Sequence, residues 1–172
     1  MHMHVLVATD GSIEPEAVAR FASALAGPDG ATTVATIVRV PRTMLADLRA
    51  QLGSQPPPSV DTDAEYVGAT SAEGPAPRNW PGDDAVVAQY LGDKRIERCR
   101  PIVTAIREGG GTAESTVREG DDVADDLIAL ASELEADVII VGNRGGGAIP
   151  AVLWSVGAKL VRRAPCPVLV LR

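Results

Sequence analysis

The stretch HVLVATDGSIEPEAVARFASALAGPDGATTVATIVRV, residues 4–40, changes its hydrophobic period twice, and those changes decide the fold. "HVLVATD" is a short apolar run that ends at Asp10-Gly11-Ser12. In "EPEAVARFASALAG" the residues Val18, Phe21, Ala22 and Leu25 recur at helical spacing, Pro15 suits a first helical turn and Gly27 supplies a stop. "PDG" then turns the chain into "ATTVATIVRV", which is β-branched and long enough for a central strand. Strand, helix and strand make a βαβ unit, which predicts parallel strands joined by a right-handed crossover.

Residues from 41 to about 82 break the pattern. "TMLADLRAQL" fits one short helix, but "GSQPPPSVDTD" and "SAEGPAPRNWPGDD" are rich in Pro, Gly, Ser and Asp and hold no period. They are expected to form an insertion within a single domain spanning 1–172. From Asp84 to Arg107 helical character returns, with Val87, Tyr90, Leu91, Ile102, Val103 and Ile106 as apolar positions, and Pro101 is expected to break or start a helix. Thr112 to Arg118 reads as a strand, followed by a helix opening at Asp121-Asp122 with Ala124, Leu127, Ile128, Ala131 and Leu134 as its stripe. "DVIIVG" is a continuous apolar run of the kind found in a parallel strand covered on both faces, and "APCPVLVLR" is a further strand. The alternation predicts an α/β fold, a doubly wound five-stranded parallel sheet with helices on both faces.

Composition narrows the functions. A chain of 172 residues with 45% hydrophobic and 23% charged residues suits one globular domain, and only 3% aromatics means a core of Val, Leu, Ile and Ala. A net charge of -7 argues against nucleic acid and anionic membrane as partners. Two cysteines, Cys99 and Cys166, are too few for a disulfide framework or a four-ligand zinc site, which points to a reducing, cytoplasmic setting. No apolar run approaches the length of a membrane span, and no leader pattern opens the sequence. His2 and His4 share a strand face and could bind a metal, but without further ligands they read better as two polar residues. Asp121, Asp122, Asp125 and Asp126 could likewise form a metal cluster, but acids in a first helical turn complement the helix dipole.

In a doubly wound sheet, ligands bind beyond the carboxyl ends of the strands where strand order reverses. Two segments compete for that place: Ala8-Thr9-Asp10-Gly11 after the first strand, and Val141-Gly142-Asn143-Arg144-Gly145 after the fourth. No Walker-type Gly-Lys-Ser sequence is present, and no set of base, nucleophile and oxyanion donors converges. An efficient hydrolase is not expected, although slow ATP hydrolysis is left open.

"VLVATDGSIEPEAVARFASALA", "REGDDVADDLIALASELEADVIIVGNRG" and "APCPVLVLR" together resemble the universal stress protein family, over nearly all the chain outside 41–82. The resemblance implies strand order 3-2-1-4-5, no established catalytic reaction, frequent homodimers, and two subclasses of which one binds ATP. The ATP-binding subclass carries Gly-x2-Gly-x9-Gly followed by Ser or Thr. Gly142 and Gly145 match the first pair, and Ser155-Val156 resembles the residues after the last glycine. Only eight residues separate Gly145 from Trp154, which stands in the final glycine's place. An indole there either obstructs the approach of backbone N–H to phosphate or points into the core. Pro150 suits a first helical position, which would carry Ser155 into the second turn.

The resemblance makes Asp10 the acceptor for an adenine amino group, a role that competes with capping the first helix. The expected nucleotide-binding residues are Ala8, Thr9, Asp10, Val40, Val141, Gly142, Arg144, Gly145, Ser155 and Val156, for ATP, ADP or AMP, with Mg compatible alongside. The alternative is a nucleotide-free interaction protein of the same fold, acting through its insertion and dimerisation. The homodimer is expected to form through the C-terminal strand, 167–172, whose backbone groups would otherwise face water at a sheet edge.

Overall fold

The computed structural model describes residues 2–40, 81–142 and 150–171, with the backbone alone described for 81–84 and 150–155. The expected insertion at about 41–82 lies outside the described residues but for its last two positions. The chain divides into two compact units: Met1–Arg39 with Leu91–Arg172, and Val40–Tyr90. In the second unit, Val40 and Val86 are buried.

Five strands, β1 (His4–Ala8), β2 (Ala31–Val38), β3 (Ala113–Glu119), β4 (Val138–Gly142) and β5 (Val168–Leu171), form one sheet. Its order is β3-β2-β1-β4-β5, and every pairing is parallel. Helices α1 (Pro15–Ala26), α2 (Pro81–Glu108), α3 (Val123–Glu133) and α4 (Pro150–Arg163) alternate with the strands. The α/β class and strand order expected from the sequence are therefore those observed.

Alternation along each strand sends successive side chains to opposite faces. Val5, Val7, Val34, Val138 and Ile140 enter one cluster with Val18 and Ala22 of α1 and Cys99, Ile102 and Ile106 of α2. Leu6, Ala35, Ile37, Ile139 and Val141 enter the other with Ala124, Leu127, Leu130 and Ala131 of α3 and Leu160 of α4. Val5–Val7 of β1 and Val138–Val141 of β4 are thus an unbroken apolar run, because neither face meets water, while β2 buries Thr32, Thr33 and Thr36 among its apolar residues.

Three local expectations need correction. Phe21 is 41% exposed, with the Arg20 guanidinium over its ring at 5.5 Å. Ala19 and Ala26 are buried on the α1 stripe instead, since short side chains let the helix lie close to the sheet. Pro101 does not end a helix: α2 runs from Pro81 to Glu108 through it. The missing donor and ring bulk of an interior proline are tolerated where Pro101 is exposed and the next two residues, Ile102 and Val103, are anchored in the core. Leu130 joins the α3 stripe as a fully buried residue, whereas Ile128 and Leu134 are only partly buried.

The two histidines are held apart by separate partners. His2 Nδ1 lies 2.9 Å from the Asp29 carbonyl, while His4 Nε2 lies 2.8 Å from Thr33 Oγ1 and its Nδ1 lies 3.0 Å from the Leu134 carbonyl. Among the described residues no group of three or more His, Cys, Asp or Glu could hold a metal ion, and no helix is long and apolar enough to cross a membrane.

Two positions in and before β2 carry measurable consequences. A Cβ on Gly30 would stand 2.1 Å from the Ala26 carbonyl oxygen and 2.5 Å from that of Met3, both backbone atoms that cannot swing aside. Gly30→Ala is expected to destabilise the protein by roughly 1–3 kcal/mol or more, read as a lower urea midpoint at unchanged slope. Thr32 is buried, and its Oγ1 has no hydrogen-bond partner among the described residues. Thr32→Val, which keeps the shape and removes the desolvated hydroxyl, is expected to raise stability by about 1 kcal/mol; a lower urea midpoint would contradict this.

Candidate functional site

One row of residues crosses the sheet near the carboxyl ends of its strands: Ala35 of β2 faces Ala8 of β1, Ala8 faces Val141 of β4, and Val141 faces Val170 of β5. All four line a cleft of about 690 Å³. The two alanines leave depth where larger side chains would fill the space. One wall comes from Val123 and Leu127 of α3, and another from Val156, Gly157, Ala158, Val161 and Arg162 of α4. Ile37, Thr9, Asp10, Ile13 and Gly142 complete the described lining.

The turn after β1 is fixed by its own polar groups. Thr9 N–H donates to the Ala35 carbonyl at 2.9 Å, continuing the β1–β2 ladder one step. Its Oγ1 accepts from Gly11 N–H at 2.9 Å. Gly11 has φ +91°, a left-handed conformation that disfavours other residues, and a Cβ there would stand 3.1 Å from Arg98 Cγ. Asp10 is exposed, and its Oδ1 accepts from both the backbone N–H and the hydroxyl of Ser12. It does not cap α1, whose N-cap is Glu14 with no side-chain cap, followed by Pro15 in the first turn. Both of these Asp10 bonds go to Oδ1. Gly142 serves the opposite turn: a Cβ there would lie 2.8 Å from Ile13 Cδ1, so its absence lets the two turns approach.

The helical walls are tied by charge. Asp122 caps α3 by accepting from Ala124 and Asp125 N–H, each at 3.1 Å. Lys159 of α4 donates to Asp122 Oδ2 and Asp125 Oδ2, each at 2.7 Å, and Arg163 reaches Asp125 Oδ1 at 2.8 Å. The Lys159 hydrogen bond, aided by the Asp125 and Ala124 backbone donors, holds the Asp122 carboxyl below its ordinary range, and hydrogen bonds to the Asp122 and Asp125 side chains raise the lysine. Of the acids expected at this helix start, Asp122 is thus the cap and joins Asp125 in an ion-pair ladder, while Asp126 Oδ2 is buried with no hydrogen-bond partner among the described residues.

The two thiols are poor nucleophiles at neutral pH. Burial pushes Cys99 up to about 11, against smaller opposing effects of Arg98 and Arg95, and raises Cys166 as well.

Of the residues expected from sequence, Ala8, Thr9, Asp10, Val141, Gly142 and Val156 are brought together in this cleft. Val40 is buried but belongs to the second compact unit and is not in the described lining. Arg144 and Gly145 lie outside the described residues. Ser155 and Trp154 fall in the second turn of α4, where the backbone alone is described. Sequence reasoning missed Ile13, Ala35, Ile37, Val123, Leu127, Gly157, Ala158, Val161, Arg162 and Val170. The available signal was smallness: Ala35 within β2, and the adjacent Gly157 and Ala158 within a helix.

Comparison with known proteins agrees with the fold. A universal stress protein of Thermus aquaticus, from the 3' region of its QAH/OAS sulfhydrylase, is 32% identical over 96 residues, 50% of this chain and 70% of that protein. Matches to other such relatives span as little as 58% of their length. A universal stress protein family member from Arabidopsis thaliana, solved with AMP bound, covers 98% of this chain and 90% of its own at 17% identity and a TM-score of 0.55. A universal stress protein solved in complex with cAMP covers 99% and 97% at 21% identity and a TM-score of 0.54. At such identities these two structures establish the fold. The sequence profile of the universal stress protein family matches residues 1–172, and with the observed strand order it establishes that the chain belongs to that family.

Proposed function

We propose that this chain is a non-catalytic, cytoplasmic stress-response module that holds an adenine nucleotide in the cleft at the carboxyl ends of β1 and β4. The observation that carries the reading is the cleft itself. Its volume, about 690 Å³, lies within the ~300–1,000 Å³ typical of small-molecule sites, and its place is where strand order reverses. An apolar floor with few polar groups suits a flat base, and Asp10 Oδ2 is a ready acceptor for an exocyclic amine. Relatives solved with AMP and with cAMP lend support.

In this reading the base rests near Ala8, Thr9 and Asp10. Val141, Gly142, Arg144, Gly145, Ser155 and Val156 receive the ribose and phosphates. Arg162, a cation in the cleft lining, is a further partner for phosphate. The described residues offer no cage for a metal, so a magnesium ion would enter on the phosphates with its waters. Residues 41–82 are read as an insertion in one family domain. Pairing of two copies through β5, at the end of the sheet, is the proposed dimer. A second reading, a nucleotide-free interaction module, is favoured by Val161 and Val170, 62% and 41% exposed within the same cleft.

A nucleotide that binds the native state alone, at about one hundred times its Kd, stabilises by ~2.7 kcal/mol. For a chain of this size that is a rise in melting temperature of about 5–10 °C, expected in millimolar ATP, ADP or AMP. No rise with any of the three, with or without magnesium, favours the nucleotide-free reading.

Gly157 gives a sharper test, because it lines the cleft from within α4 and a Cβ there meets nothing within 4 Å among the described residues. Gly157→Ala is expected to stabilise by about 0.8–1.0 kcal/mol through helix propensity. Gly157→Phe is expected to fill the cleft and abolish the nucleotide-induced melting shift while circular dichroism remains native. A full shift in the phenylalanine variant would place the nucleotide elsewhere.

A further inference from the structure

A second recess lies at the other end of the sheet, between α2 and the outer edge of β3. Arg95, Ile96, Arg100, Val103, Arg107 and Ser115 line a shallow groove of about 200 Å³. Ile96, Arg100, Val103 and Arg107 follow at spacings of four, three and four, so they share one helix face. On a chain of net charge -7, this described lining carries three arginines and no carboxylate. Arg95 and Arg100 form no ion pair among the described residues. Arg107 directs Nε and Nη2 to the Ala113 carbonyl at 2.9 and 2.6 Å, and its Nη1 remains for another acceptor. Neighbouring acids are engaged elsewhere: Glu97 with Lys94 at 2.6 Å, and Glu114 with Thr33 at 3.4 Å on the opposite face of the sheet.

The backbone beside this groove has open valences. β3 is the last strand in the order and pairs only with β2 among the described strands. The Thr112 carbonyl accepts from Thr32 N–H at 2.9 Å and Gly120 N–H donates to the Val38 carbonyl at 3.1 Å, so even-numbered residues address β2. Amide direction alternates along a strand, and Ala113, Ser115 and Val117 therefore turn theirs outward. Arg107 occupies the Ala113 carbonyl, while the amide groups of Ser115 and Val117 have no partner among the described residues.

We propose that this edge docks an acidic, extended segment of a partner protein, which adds to β3 as a further strand and sets its carboxylates against Arg95, Arg100 and Arg107. Main-chain hydrogen bonds to Ser115 and Val117 supply register, and carboxylate–guanidinium pairs supply selection. Alternate residues of an added strand face the groove, so acids at every second position meet the arginines. Nucleic acid is disfavoured as the occupant because a phosphodiester backbone has no peptide N–H and C=O groups to pair with the outward amides of Ser115 and Val117.

A fluorescein-labelled octapeptide of alternating Glu and Val tests the proposal on the full chain, with its Lys-Val counterpart as control. A saturable anisotropy rise is expected for the glutamate peptide alone, with at least tenfold weaker binding to the Arg95→Ala/Arg100→Ala variant. Ser115→Pro, which removes an outward edge donor, is expected to weaken binding similarly at an unchanged melting temperature. Hydrogen exchange on the unmodified protein provides a readout independent of that variant's folding: bound peptide should slow exchange at the Ser115 and Val117 amides. Absence of binding up to millimolar peptide, equal binding of the two peptides, unchanged affinity in the double arginine variant, or unprotected Ser115 and Val117 amides would each overturn the assignment.

Discussion

The structure depends on β1 being enclosed from four directions. Its backbone pairs with β2 on one side and β4 on the other, while Val5 and Val7 pack under one helical layer and Leu6 under the other. A central place in the sheet lets so short a strand bury Val5, Leu6 and Val7 and also pair its peptide groups on both edges. Because the chain leaves β1 toward β2 and later returns to β4 on its other side, the helices that follow β1 and β4, α1 and α4, fall on opposite faces of the sheet. The cleft opens over the strand ends on the side of α3 and α4.

The same enclosure explains why the cleft is deep and mostly apolar. Its floor is a continuation of the core row from Ala35 to Val170, opened by small residues. Its helical walls are joined by Lys159 and Arg163 to Asp122 and Asp125, contacts too exposed to contribute much stability but able to orient two helices relative to one another. Among the described lining residues, polar side chains are confined to Thr9 and Asp10 of the turn after β1 and to Arg162. That division between an apolar interior and a polar mouth is what a site for a flat, partly charged ligand requires.

Much of the fold was legible because β1, α1 and β2 change period cleanly, and "DVIIVG" carries the unbroken apolarity of a strand covered on both faces. Strand order came from the family resemblance, since alternation fixes the layers and not the sequence of neighbours. The errors arise where local pattern competes with packing depth. Phe21 fits the helical stripe of α1 but is too bulky for a helix that packs through alanines, and Pro101 is a breaker only where tertiary anchoring is weak. Half of the cleft was invisible for another reason: Gly157, Ala158, Val161 and Val170 acquire a shared role only when α4 and β5 are laid beside β1. Asp10 was expected as a site residue because the family resemblance and its place after a strand both single it out, but its bond to Ser12 required coordinates.

The position of β1 also has a consequence for how the molecule is made. His4 N–H donates to the Asp137 carboxylate across 133 positions, and the neighbouring β1–β4 ladder joins residues equally remote in the chain. Contacts of such separation carry a high loop-closure cost and slow the folding search. During synthesis the β1–α1–β2 segment emerges well before β4, and it must keep Val5, Leu6 and Val7 from foreign strands until the matching edge arrives. The strand on which the sheet is centred therefore stays paired on one edge alone through most of synthesis, and it is open to aggregation until residue 142 leaves the ribosome.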